Sequence, residues 1–135
     1  MIAIKENELK QILTDIKDFV IVTGSYAEGT QTLNSDIDFY IKFKPEDEVN
    51  LEADYVEDTY CMPLIRYFEK KEYHIDSVYV DSFHIDDTII PLEFSSSYIV
   101  DENNVFEIDV LGVKMKASLS LFKRLRLNSK PFFIF

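Results

Sequence analysis

GSYAEGTQTLNSDIDFYI, residues 24–41, decides how the chain is read. It opens on Gly24-Ser25 and closes on Asp36 and Asp38, which flank one isoleucine. From Asp36 to Lys44, polar residues alternate with Ile37, Phe39, Ile41 and Phe43, the period of a strand with one apolar face. Just upstream, Phe19-Val20-Ile21-Val22 is a β-branched and aromatic run that predicts a buried strand. The quoted stretch therefore links two strands. Because successive strand residues point to opposite faces, Asp36 and Asp38 share one face.

Two close carboxylates repel each other, and no basic residue lies between these two to offset the cost. A divalent cation resolves it. Hard oxygen ligands suit Mg²⁺, which typically takes one or two carboxylates together with substrate phosphates. At the other end of the stretch, Gly24 lets the main chain approach a ligand closely, and the N–H groups of a tight turn favour an anion. Ser25 adds a hydroxyl donor. A phosphate cradle and a carboxylate cage on adjacent strands are the two parts that nucleotide transfer requires.

Working outward, 135 residues with 47% hydrophobic side chains predict one domain, 1–135, around a single core. Cys61 is the one cysteine, so no intrachain disulfide forms, and no Cys and His cluster has zinc spacing; a reducing, cytoplasmic setting is expected. The start, MIAIKENELKQ, turns polar by Lys5 and has neither a signal-peptide core nor a membrane-spanning run. The net charge of -11 is unevenly spread: all 25 acidic residues precede Val110. After it come Lys114, Lys116, Lys123, Arg124, Arg126 and Lys130. An acidic body repels a phosphate backbone, which argues against general nucleic-acid binding. The basic tail is left to meet a compact anion, an acidic partner or its own acidic body.

Leu9, Ile12, Leu13 and Ile16 follow helical spacing and predict an amphipathic helix over Asn7 to Asp18, with Asn7 as its cap. The stretch 46–58 holds seven acids and no base and reads as a solvated connection. Pro63 fits the first turn of a helix that turns Leu64, Ile65 and Phe68 inward. Further strands are expected at His74 to Asp81, Ile89 to Phe94 and Phe106 to Lys116, and a basic helix over Leu119 to Leu127. His74 and His84 have no second ligand at metal spacing and receive no role. The apolar end Pro131-Phe132-Phe133-Ile134-Phe135 is expected to fold back on the core or to dock on a second copy, and a homodimer is the preferred reading.

Gly24-Ser25, ten residues, then Asp36-Ile37-Asp38 resembles the signature of the polymerase-β-type nucleotidyltransferase superfamily. Ala27, Gly29, Thr30 and Ser35 also fall where small bacterial members often carry them. The resemblance is specific over Phe19 to Ile41. It implies an α+β fold with a mixed central β-sheet and helices packed on one side. It implies that Asp36 and Asp38 ligate Mg²⁺ and that Gly24 and Ser25 bind an NTP, with ATP the expected one. The family usually adds a third carboxylate from a later strand. Asp76, in a strand-like run, is the choice for catalysis and metal binding, with Asp81 and Glu93 in reserve.

Two departures from the family pattern stand out. Where many relatives carry a basic residue just after Gly-Ser, this chain has Tyr26 and Glu28, so phosphate contact depends on main-chain donors, Ser25 and the basic tail. The helical domain that closes over the acceptor in antibiotic-modifying relatives is not evident. The segment Val110 to Lys123 resembles the strand and lysine-bearing helix found late in aminoglycoside- and lincosamide-type nucleotidyltransferases, which makes Lys123 a candidate for the nucleotide phosphates. The activity implied is transfer of a nucleoside monophosphate, AMP by expectation, to a hydroxyl of a small molecule such as an antibiotic. The alternatives are an antitoxin-type enzyme modifying a small helical partner protein, and an inactive binding module of the same fold.

Overall fold

The computed structural model describes residues 5–42, 61–79, 82–85, 91–95, 98–100, 102–119 and 121–124. The acidic stretch 46–58, Asp81 and the apolar run 131–135 lie outside them.

Helix α1 runs Glu6–Ile16 and buries Leu9, Ile12, Leu13 and Ile16, the stripe read from the sequence. It starts a residue earlier than expected. Lys5 is the N-cap, without a side-chain cap bond, and its carbonyl accepts from the N–H groups of Glu8 and Leu9 at 3.0 and 3.1 Å. Glu6 and Glu8 in the first turn suit the positive end of the helix dipole, which compensates for the absence of a capping side chain. Strand β1 (Val20–Thr23) leads into the short helix α2 (Gly24–Glu28), and β2 spans Ile37–Ile41. Helix α3 (Met62–Lys70) carries Pro63 in its first turn and buries Leu64, Ile65 and Phe68, as the spacing requires.

Strands β3 (Ile75–Tyr79), β4 (Ser82–Ile85), β5 (Leu92–Ser95), β6 (Tyr98–Val100), β7 (Val105–Val110), β8 (Val113–Ser118) and β9 (Leu121–Arg124) follow. Seven strands form one mixed sheet in the order β3-β4-β5-β2-β1-β8-β7, with β1 parallel to β8 and β2 parallel to β5. The α+β architecture expected from the sequence is the one observed.

Where the sequence predicts one strand over Phe106 to Lys116, the chain makes the β7–β8 hairpin. Val110 pairs with Val113, and the two loop residues, Leu111 and Gly112, both have positive φ, as a type I′ turn demands. The Asp109 carboxylate accepts from the Gly112 N–H at 2.8 Å and fixes the turn. The helix predicted over Leu119 to Leu127 is replaced, within the described residues, by β9, which pairs antiparallel with β6. Four residues cannot separate a helical from a strand period, and pairing with Tyr98–Val100 decides between them.

One face of the seven-stranded sheet carries the core. Val20, Val22, Ile37, Phe39, Ile41, Phe83, Ile85, Leu92, Phe94, Met115 and Ala117 pack there with the buried stripes of α1 and α3. Phe94 is its hub, stacked against Phe83 and Phe39 with ring centroids 4.7 and 5.0 Å away and tilted against Phe68 of α3 at 5.6 Å. Pleating then turns the alternate residues, among them Asp38 and Glu93, to the opposite face.

Candidate active site

The site forms where β1 ends. Thr23 pairs with Asp38 across the antiparallel β1–β2 ladder, so the turn at Gly24 is beside that carboxylate. Gly24 has φ +67°, and a Cβ built on it would stand 2.5 Å from Asp38 Oδ2 and 3.3 Å from Asp38 Cγ. Both facts require glycine: an L side chain is strained at this φ, and there is no space for one. Helix α2 is then closed by Gly29 at φ +76°, and the Ser25 carbonyl accepts from the N–H of Thr30 at 2.9 Å.

Asp36 enters from a loop that its own polar side chains shape. The N–H of Thr32 donates to Ser35 Oγ at 2.8 Å, and the N–H of Ser35 donates to the Thr32 carbonyl at 3.1 Å. These two reciprocal bonds fold 32–35 into a turn that delivers Asp36 directly ahead of β2. Ladder bonding resumes when the Ile37 N–H donates to the Pro91 carbonyl at 2.7 Å.

Parallel pairing of β2 with β5 sets Glu93 directly opposite Asp38. The two carboxyl groups share a hydrogen bond, and Asp38 is pushed up to about 7 by burial first, then by that bond, then by the charges of Glu93 and Asp36. Such a bond exists only while one of the two carboxyls keeps its proton. Three acids from three segments thus act on one point in space. Among the described residues no three His, Cys, Asp or Glu side chains are already arranged as a metal cage. The chemistry of the donor set still fits one, because Asp36, Asp38 and Glu93 are hard oxygen ligands whose mutual repulsion at Asp38 a cation would relieve.

The register continues beyond Glu93. His84 on β4 pairs with Glu93, and Asp76 on β3 pairs with His84, giving one row, Thr23, Asp38, Glu93, His84, Asp76, across five strands. The main chain of Asp76 is therefore three strand spacings from that of Asp38, about 14 Å. The sequence ranks Glu93 behind Asp76, yet Glu93 is the acid that the sheet sets against Asp38. The signal for it is local: Leu92-Glu93-Phe94 repeats the Ile37-Asp38-Phe39 pattern of an acid between two core residues.

Lys123 lies on β9, opposite Ile99 in the two-stranded β6–β9 sheet, and not on a helix. In α2, where a basic residue was expected, Tyr26 packs against the core and the Glu28 carboxylate accepts from the Thr30 hydroxyl at 3.5 Å. That helix brings no cation to the site.

Comparison with known proteins places the chain in a family. Residues 3–105 match the family model described as a nucleotidyltransferase domain, a span that includes Gly24, Ser25, Asp36, Asp38, Asp76 and Glu93. Searches of curated proteins and of solved structures give no match. Among the described residues, no helix is long and apolar enough to cross a membrane.

Proposed function

The chain belongs to the nucleotidyltransferase domain family, and on that premise we propose that it moves a nucleoside monophosphate, AMP, from ATP to a hydroxyl of a small molecule such as an antibiotic, with release of pyrophosphate. The observation that carries this reading is the contact of Asp38 with both Gly24 and Glu93, which joins the phosphate-binding turn to the carboxylates.

Asp36, Asp38 and Glu93 would hold Mg²⁺, which when bound neutralises phosphate charge and favours the attacking oxygen. Gly24 and Ser25 receive the triphosphate through main-chain N–H groups and the Ser25 hydroxyl, donors fixed in place before the charge develops. Glu93 replaces Asp76 as third carboxylate in this proposal, since a side chain must reach the Asp38 carboxyl to share its proton or its cation. Asp38 loses the shared proton as the site fills. Glu93, released from its bond to Asp38 and exposed on its outer side, accepts the proton of the acceptor hydroxyl, a role worth about 10²-fold to 10⁴-fold.

The test is thermal unfolding with Mg²⁺ alone, with a non-hydrolysable ATP analogue alone, and with both, followed by transfer from α-labelled ATP to a panel of hydroxyl-bearing small molecules. Stabilisation should need metal and nucleotide together, since only a ligand of the native state raises its stability. Asp36→Ala and Asp38→Ala should remove both stabilisation and labelling. Equal stabilisation of these variants, or analogue binding indifferent to Mg²⁺, defeats the proposal.

A further inference from the structure

A cavity of about 280 Å³ opens between Ile21, Lys42, Val105 and Lys116. Ile21 is 4% exposed and alternates with Val20 and Val22, which face the core, so the cavity is on the same side of the sheet as Asp38. Ile21 is two residues before Thr23, the partner of Asp38, which sets the cavity about 7 Å along β1 from the carboxylate row.

Its two cations have no acidic partner among the described residues. The natural one for Lys116 is Glu107, directly opposite it in the β7–β8 ladder. That carboxylate is instead taken by Lys114, with Nζ 3.6 Å from Oε1. Among the described residues, Lys42 is anchored through its main chain, whose N–H donates to the Phe19 carbonyl at 2.9 Å. In a protein of net charge -11, the described residues that line this cavity are two lysines, an isoleucine and a valine, with no carboxylate among them. Two cations lining one cavity suit a compact dianion, which can meet both at once.

We propose that the cavity between Lys42 and Lys116 is an anion subsite for a phosphate group, lying on the same sheet face as the carboxylate row. It supplies the positive charge that α2, with Tyr26 and Glu28, does not. The phosphate has two sources, the nucleotide's own triphosphate or an anionic group on the acceptor. Only this choice of source rests on the transferase reading.

The probe is inorganic phosphate, titrated into the full chain and followed by amide chemical shifts in the wild type, in Lys42→Gln/Lys116→Gln and in Asp38→Asn. Saturable shifts are expected at Ile21, Lys42, Val105 and Lys116 in the wild type and in Asp38→Asn. Binding should be about tenfold or more weaker in the double lysine variant, whose spectrum also reports whether it is folded. Shifts that never saturate, that persist equally in the folded double variant, or that are confined to Gly24 and Ser25 overturn the proposal. Calorimetry with Mg·ATP then assigns the source. A similar loss of affinity in the double variant identifies the triphosphate, and unchanged Mg·ATP affinity beside lost phosphate binding identifies the acceptor; each supports the subsite. Failure of the transferase reading has a different signature: no Mg·ATP binding by the wild type, with phosphate binding retained.

Discussion

The Gly24 main chain and the Asp38 carboxylate are packed so closely that a single added methyl group would stand 2.5 Å from Asp38 Oδ2. One residue thereby serves the turn at the end of β1 and the acid at the start of β2. Gly24→Ala should cost about 1–3 kcal/mol through strain at φ +67°, and the clash should displace Asp38. Urea unfolding measures the first effect. Loss of joint stabilisation by Mg²⁺ and an ATP analogue measures the second.

Asp38→Asn should act with opposite signs on the two measurements. In metal-free protein the amide donates to Glu93 without a shared proton, so stability at pH 8 should rise above that of the wild type. Stabilisation by Mg²⁺ and nucleotide should vanish, because an amide is a poorer ligand for a hard cation than a carboxylate. Thermal unfolding with and without metal at pH 8 checks both.

A pH dependence follows from Asp38, raised to about 7 in the folded chain against about 3.9 when unfolded. The folded state holds this proton more tightly, so the group contributes stability that is fully present below pH 4. That contribution is lost as pH rises through 7. Metal-free protein should therefore weaken from pH 4 to pH 8, and Asp38→Asn should flatten the profile. Metal binding needs the deprotonated form, so the Mg²⁺-induced rise in Tm should be small at pH 5.5 and large at pH 8.

Glu93 and Asp76 are separable by conservative amides. Glu93→Gln should lower transfer by about 10²-fold or more. Asp76→Asn should leave the rate within about twofold to threefold, as for a substitution away from the reacting atoms. Steady-state rates of pyrophosphate release compare them.

Phe94→Ala tests how far the core fixes the site. Phe94 is 2% exposed, touches Phe39, Phe68 and Phe83, and neighbours Glu93 in β5. Its truncation should cost about 3–5 kcal/mol in chemical denaturation.

The sequence alone determined what depends on local order. Leu9, Ile12, Leu13 and Ile16 declared a helix because one amphipathic face is written in consecutive turns. Gly24-Ser25 and Asp36-Ile37-Asp38 declared a turn and a strand because each needs only its neighbours' chemistry. Tertiary structure decided what depends on pairing. Leu111-Gly112 split an apparent single strand into a hairpin, and Leu121–Arg124 became a strand because Tyr98–Val100 offered it a partner. Register also sets one acid beside another: nothing local in the sequence pairs Glu93 with Asp38, and the parallel alignment of β5 on β2 does. The acidity of Asp38 and the meeting of Lys42 with Lys116 have the same origin, since charges interact through space and strand order, not sequence distance, sets that space.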